Sequence, residues 1–271
     1  MKVRYKELGR LTLIVIGASA VAMLGLLPFR AAMPLDDLRR ASDGMGNYLQ
    51  TLGGIYAVLL AFVVTMVWSQ FDQARGHVDR EAAALVDLHR TASGLPPATR
   101  DLIQRGLRGY VDALVTDEWK AMACRDEQTI TRVGERLDLV WLAIHRCQPV
   151  NECQNTIYGE VLSRFNDLTD VRTNRLTSSR QRIPLSMRVL LFAGAIILVA
   201  STYLMVFDPL WIHLTVVGAM SGAVAHILFL IIDLDDPFAG RHVLETAPYV
   251  RAREAFDRSA HLVDSDHIAA A

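Results

Sequence analysis

Apolar residues gather into four long runs, Leu11 to Phe29, Tyr48 to Trp68, Val189 to Phe207 and Trp211 to Ile232, and none contains Asp, Glu, Lys or Arg. A helix needs roughly 20 apolar residues to cross a hydrocarbon core about 30 Å thick, whereas a soluble core helix keeps polar residues on one face. Backbone groups in lipid have no water to bond, so each run is predicted to be a transmembrane helix. Asp208, Pro209 and Leu210 alone separate the third and fourth runs, which predicts a tight hairpin. Trp211 and Tyr203 suit the interface near that turn, and Trp68 suits the opposite one.

Between the second and third runs the periodicity changes. Phe71, Ala74, Val78, Leu85, Leu88 and Ala92 recur at helical steps among charged residues, so span two is predicted to continue as one helix from Tyr48 to about Ala92. Gly94, Leu95, Pro96 and Pro97 mark its end. Three further helices are expected at about 98–122, 129–145 and 155–179. The fold class is therefore an all-α integral membrane protein, four transmembrane helices with a helical cytoplasmic insert between helices two and three. Its segments are residues 1–68 with helices one and two, 69–186 as the insert continuous with helix two, 187–234 as the second hairpin, and 235–271 as a cytoplasmic tail.

Charge adds orientation. The chain of 271 residues carries a formal net charge of −1, which points to neither nucleic acid nor an acidic substrate. Lys2, Arg4, Lys6 and Arg10, with Arg75, Arg80, Arg180, Arg182 and Arg188, outweigh Arg30, Arg39 and Arg40 on the other side, so both termini and the insert are placed in the cytoplasm. The first run also resembles a secretory signal, with a candidate cleavage site at Ala31-Ala32, but it is longer than a usual signal core and is kept as a span. Cys124, Cys147 and Cys153 all fall in the insert and are expected as free thiols in a reducing compartment. His145 lies near Cys147, but the close Cys-x-x-Cys pairing of structural zinc is missing and no metal is assigned. On the oxidising side of the membrane, a disulfide from Cys147 to Cys153 would be the better reading.

No Gly-rich phosphate loop, nucleophile elbow or zinc-protease motif is present, so no catalytic residue and no cofactor is assigned, and the chain is not read as an enzyme. Polar side chains at membrane depth are the better candidates. Ser221 and His226 in span four would either face a polar path or bond to neighbouring helices, and a histidine there could titrate near neutral pH. Asp233, Asp235 and Asp236 leave the membrane together, as an interfacial cap or as oxygen ligands for a hard cation. Gly53, Ala57 and Ala61, and Gly218 with Gly222, have the small-residue spacing of close helix contacts, within one subunit or between two.

Two blocks of sequence resemble a known family. The first comprises Tyr56-Ala57-Val58-Leu59-Leu60-Ala61-Phe62, Phe71-Asp72-Gln73-Ala74-Arg75, Glu81-Ala82-Ala83-Ala84-Leu85, Leu95-Pro96 and Tyr110-Val111. The second is Asp233-Leu234-Asp235-Asp236-Pro237-Phe238-Ala239-Gly240. Together, over about 48–118 and 228–257, they resemble the bestrophin-like family of bacterial membrane proteins. The aromatic- and arginine-rich pattern near the start of typical bestrophins is absent. The resemblance implies an oligomeric ion channel, usually pentameric in bestrophins, with helix two lining the pore. On that basis Tyr56, Phe62 and Val63 are candidate pore-lining or gate residues, and the three aspartates a cation-responsive cluster. Implied partners are membrane lipid, further copies of the chain and inorganic ions, with no nucleic acid, and the implied location is the bacterial inner membrane. The alternative is a non-conducting scaffold or signalling protein whose cytoplasmic bundle binds a partner.

Overall fold

The computed structural model describes the backbone of residues 2–239 and 243–269, with side chains outside 2–8, 10, 35, 37, 38, 40–44 and 259–269. Lys2, Arg4, Lys6, Arg10 and Arg40, which contributed to the orientation, and Gly240 of the second family block therefore have side chains or positions outside the described residues. Among the described residues the chain is helical, with no strand. Among the described residues, four helices are long and apolar enough to cross a membrane. Contacts divide the chain into two compact units, Met1–Ser69 with Arg182–Asp235, and Gln70–Gln181 with Asp236–Ala271.

The first unit contains α1 (Lys2–Ala32), the start of α2 (Leu35–Thr91), α7 (Leu185–Tyr203) and α8 (Leu210–Leu234). Pro34 separates α1 from α2, since the residue before a proline is pushed out of helical geometry. Helix α2 thus begins thirteen residues before Tyr48, so most of the segment expected to link spans one and two is helical. Helix α7 starts and stops about one turn earlier than the apolar run suggested. Leu204 and Met205 turn back, bonding to the carbonyls of Ser201 and Thr202, and Phe207 instead packs edge-on to His213.

Small residues bring these helices together. Ser19 Oγ on α1 donates to the Gly218 carbonyl on α8 at 2.9 Å, and a Cβ at Gly222 would lie 2.8 Å from that same oxygen. The Gly218/Gly222 pair therefore serves a contact within the chain. Tyr203 on α7 donates to the Ala22 carbonyl on α1 at 2.5 Å. Tyr56 on α2 donates to the Leu191 carbonyl on α7 at 2.8 Å, its ring lying over Gly194. At the α7–α8 turn, Asp208 accepts from Arg30 at 2.6 Å and Arg39 at 2.7 Å.

The second unit contains the rest of α2, then α3 (Pro97–Ala113), α4 (Trp119–Cys124), α5 (Glu127–His145), α6 (Glu152–Arg180) and α9 (Ala247–Ala269). The helix expected over 98–122 is interrupted by a π segment, Leu114–Glu118, and ends where Arg125 adopts a left-handed conformation, φ 58°. Asp126 caps α5 through the Gln128 and Thr129 amides, and Asn151 caps α6 through that of Gln154. The residues treated from sequence as a tail, 235–271, include α9, whose Tyr249, Ala252 and Phe256 lie in this unit's hydrophobic core.

Four charged side chains close that core. The fully buried Arg175 on α6 donates to Glu81 Oε2 at 2.5 Å and to Glu118 Oε1 at 2.7 Å. Arg172, one turn earlier, donates to Glu118 Oε2 at 3.1 Å. Tyr110 and Tyr249 donate to the two Glu81 oxygens at 2.6 and 2.8 Å. Burial first, and then the Glu81 charge, pushes both phenols far above their ordinary range, so they stay protonated donors. Burial alone would lower Arg175, but the Glu81 and Glu118 carboxylates outweigh it and hold the guanidinium charged.

Two outcomes follow for the protein purified in detergent. Arg175→Met leaves two buried carboxylates undercompensated and should cost about 3–5 kcal/mol in reversible denaturation. A Cβ at Gly194 would lie 2.6 Å from the Tyr56 ring, whose hydroxyl is anchored. Gly194→Ala should therefore lower stability by about 1–3 kcal/mol, measured in the same way.

Candidate functional site

Helix α2 shows two faces within the apolar unit. Tyr56, Leu60, Val63 and Val67 recur at four- and three-residue steps and are buried. On the other side Ile55, Val58 and Phe62 are 67, 56 and 72% exposed, flanked by exposed Thr51 and Thr65. The structure thus places Tyr56 and Val63 together on the packed face and sets Phe62 apart from them. At 100° per residue, Phe62 lies about 120° around the helix from Tyr56, while Val63 returns to within about 20°. The two hydroxyls flanking the exposed stripe donate to their own helix, Thr51 to Asn47 O and Thr65 to Ala61 O, both at 2.9 Å. That leaves an uncharged, apolar surface.

Of the candidate small-residue positions on this helix, a Cβ at Gly53 would lie 3.8 Å from the Leu198 side chain, whereas Ala57 and Ala61 are exposed.

Ser221 and His226 are not brought together. Ser221 is buried and donates to Val217 O at 2.8 Å, satisfying its hydroxyl within its own helix. It borders an apolar groove of about 890 Å³ between α1, α7 and α8, whose lining includes Ala18, Val21, Phe192 and Ala225. His226 is exposed and does not line that groove. The buried histidine of α8 is instead His213, whose ring is bonded through Nε2 to the Thr202 carbonyl at 3.0 Å.

The acidic exit also separates by role. Asp235 is buried, accepts from the Ile183 amide at 2.7 Å and pairs with Arg188 at 2.7 Å, fixing the entry to α7. Asp233 is buried at the end of α8. Asp236 accepts from the Ala239 amide at 3.0 Å, a local turn cap. Among the described residues, no three His, Cys, Asp or Glu side chains are grouped so as to hold a metal ion. Cys124, Cys147 and Cys153 are free thiols, and only Cys147 is buried.

The buried polar groups Glu81, Glu118 and Arg175 were not singled out from sequence. An acidic residue in phase with the apolar stripe of Ala74, Val78, Leu85 and Leu88 was the available signal for Glu81. Nothing local marked its partners.

Solved structures of a bacterial bestrophin homolog from Klebsiella pneumoniae share this fold. A mutant form aligns with a TM-score of 0.67 at 17% identity, covering 94% of this chain and 99% of that one. Two other structures of that homolog, one of them a mutant, each give 0.65, at 16 and 17% identity, covering 93 and 92% of this chain and 97 and 96% of theirs. No curated protein matches the sequence. A family model described as the Bestrophin-like domain matches residues 16–249, most of the two units, and the chain accordingly belongs to the bestrophin-like family of membrane proteins.

Proposed function

We propose that the chain assembles with further copies of itself into an ion channel of the bacterial inner membrane, both termini cytoplasmic, with α2 lining the pore. The observation that carries this is the exposed, uncharged stripe of Ile55, Val58 and Phe62, on a helix whose other face is already committed to α7. A lipid-facing surface needs only to be apolar. A pore-lining surface must also line up along the helix and hold no fixed charge where it gates by dewetting, and this stripe meets both conditions. Phe62 is the bulkiest side chain on it and forms the narrowest point. Tyr56 and Val63, from the packed face, hold α2 in place and do not contact the permeating ion.

Family membership supports the channel over a scaffold, because channel activity is what the resemblance implies. The alignment with solved bestrophin homologs, at 18% identity or below, supports the fold alone.

Reconstitution in liposomes tests the proposal. Wild-type protein should pass at least one of chloride, sodium and potassium, and Phe62→Ala should raise that flux several-fold by widening the apolar constriction. Val63→Ala should lower the thermal midpoint while leaving flux near the wild-type level. Liposomes tight to all three ions across pH and calcium conditions, or equal flux from Phe62→Ala and wild type, would overturn it.

A further inference from the structure

The tail helix α9 rests on a histidine that can be tolerated only in its neutral form. His89, near the end of α2, is 1% exposed, and its Nε2 has no hydrogen-bond partner. Its ring stacks on that of Phe256 from α9, with centroids 4.3 Å apart and planes inclined by 11°. Arg108 on α3 lies over the same phenyl ring at 5.9 Å, donates to the Phe256 carbonyl at 3.0 Å and pairs with Asp257. The charged groups acting on His89 are Arg108 from α3 and Asp257 from α9, with Arg108 the stronger. The nearby side-chain amide of Gln104 donates to the His89 carbonyl at 3.2 Å and leaves the ring alone.

A proton on this imidazole would place a second cation beside Arg108, where water cannot reach it. It would also set a charged ring against a phenyl ring that already carries a guanidinium. The contact is strong only while His89 is uncharged.

We propose that this arrangement is an acid-sensitive clasp: a neutral His89 holds α9 on α2 and α3, and its protonation loosens α9. Burial first, and Arg108 second, lower the packed imidazole from its ordinary 6.5 to about 4. A loosened α9 returns the ring to water and to its ordinary value. The loosened form therefore takes up the proton first as pH falls. The clasp is fully closed above pH 6.5 and weakens progressively toward pH 4. Between pH 7.5 and 5.5 the shift corresponds to a roughly tenfold change in the closed-to-loosened ratio.

Hydrogen exchange on the full-length protein in detergent reads this directly, once rates are corrected for the intrinsic pH dependence of exchange. Amide protection over Tyr249 to Asp257 should fall roughly tenfold between pH 7.5 and 5.5 in the wild type. His89→Phe keeps a ring against Phe256 but cannot titrate, and its protection should be the same at both pH values. His89→Gln provides a second non-titrating variant of different shape and should behave alike. A wild type equally protected at both pH values, or a loss that persists in both variants, would overturn the clasp. Because exchange requires no ion flux, the test is separate from that of the channel.

Discussion

A guanidinium with no access to water is the constraint around which the second unit is organised. Arg175 can be buried only if carboxylates meet it, and one carboxylate would leave part of its donor fork unused. It therefore draws in both Glu81 from α2 and Glu118 from the π segment, and takes the Met122 sulfur at 2.9 Å as a further contact. Arg172 then balances the second carboxylate, giving two positive and two negative groups. The π segment has a direct role here. One extra residue in the turn brings Glu118 to the buried side, 0% exposed, while Asp117 beside it remains exposed.

Glu81 also fixes how the second unit's part of α2 is rotated about its own axis. Within the apolar unit the Tyr56 hydroxyl, bonded to Leu191, does the same for the first part of the helix. The face bearing Val58 and Phe62 is then left free by default. Burying ionic groups does not by itself stabilise a fold, since apolar replacements of similar shape often do as well. What it does is penalise other rotations heavily, because each would strand a charge. The apolar unit lacks such markers and uses close approach instead, with hydroxyls of Ser19, Tyr56 and Tyr203 donated to carbonyls of neighbouring helices over glycine-lined contacts.

These two strategies explain what was legible in the sequence. Spans and insert helices could be read to within a few residues at most ends, because uncharged runs and amphipathic repeats are local signals. Which side of α2 packs could not be read from the span itself, where no position is charged and apolar residues surround the helix. The phase was available one step away. Continuing the buried series of Ala74, Val78, Glu81, Leu85 and Leu88 backward at helical spacing reaches Val67, Val63, Leu60 and Tyr56, and leaves Phe62 outside it. Helix α9 was missed for a related reason: Tyr249, Ala252 and Phe256 form a narrow stripe among Arg251, Arg253, Glu254 and Asp257, which reads as a solvated tail. The pairing of positions 81, 118, 172 and 175 depends on tertiary contacts and has no local signature.

The acidic exit of α8 shows why a shared residue type does not imply a shared task. Asp235 and Asp236 are adjacent, yet one holds an amide and a guanidinium at the entry to α7 while the other caps a turn ending at Ala239. An ionised carboxylate is an acceptor with about four lone-pair sites, and Asp235 already spends one on Ile183 and one on Arg188 in a buried setting. A cation approaching Asp235 would meet a guanidinium already paired with it, two positive charges around one carboxylate. The sequence Asp-Leu-Asp-Asp-Pro therefore works first as a joint that sets where α8 ends and α7 begins. An ion drawn to Asp235 would therefore share that carboxylate with Arg188.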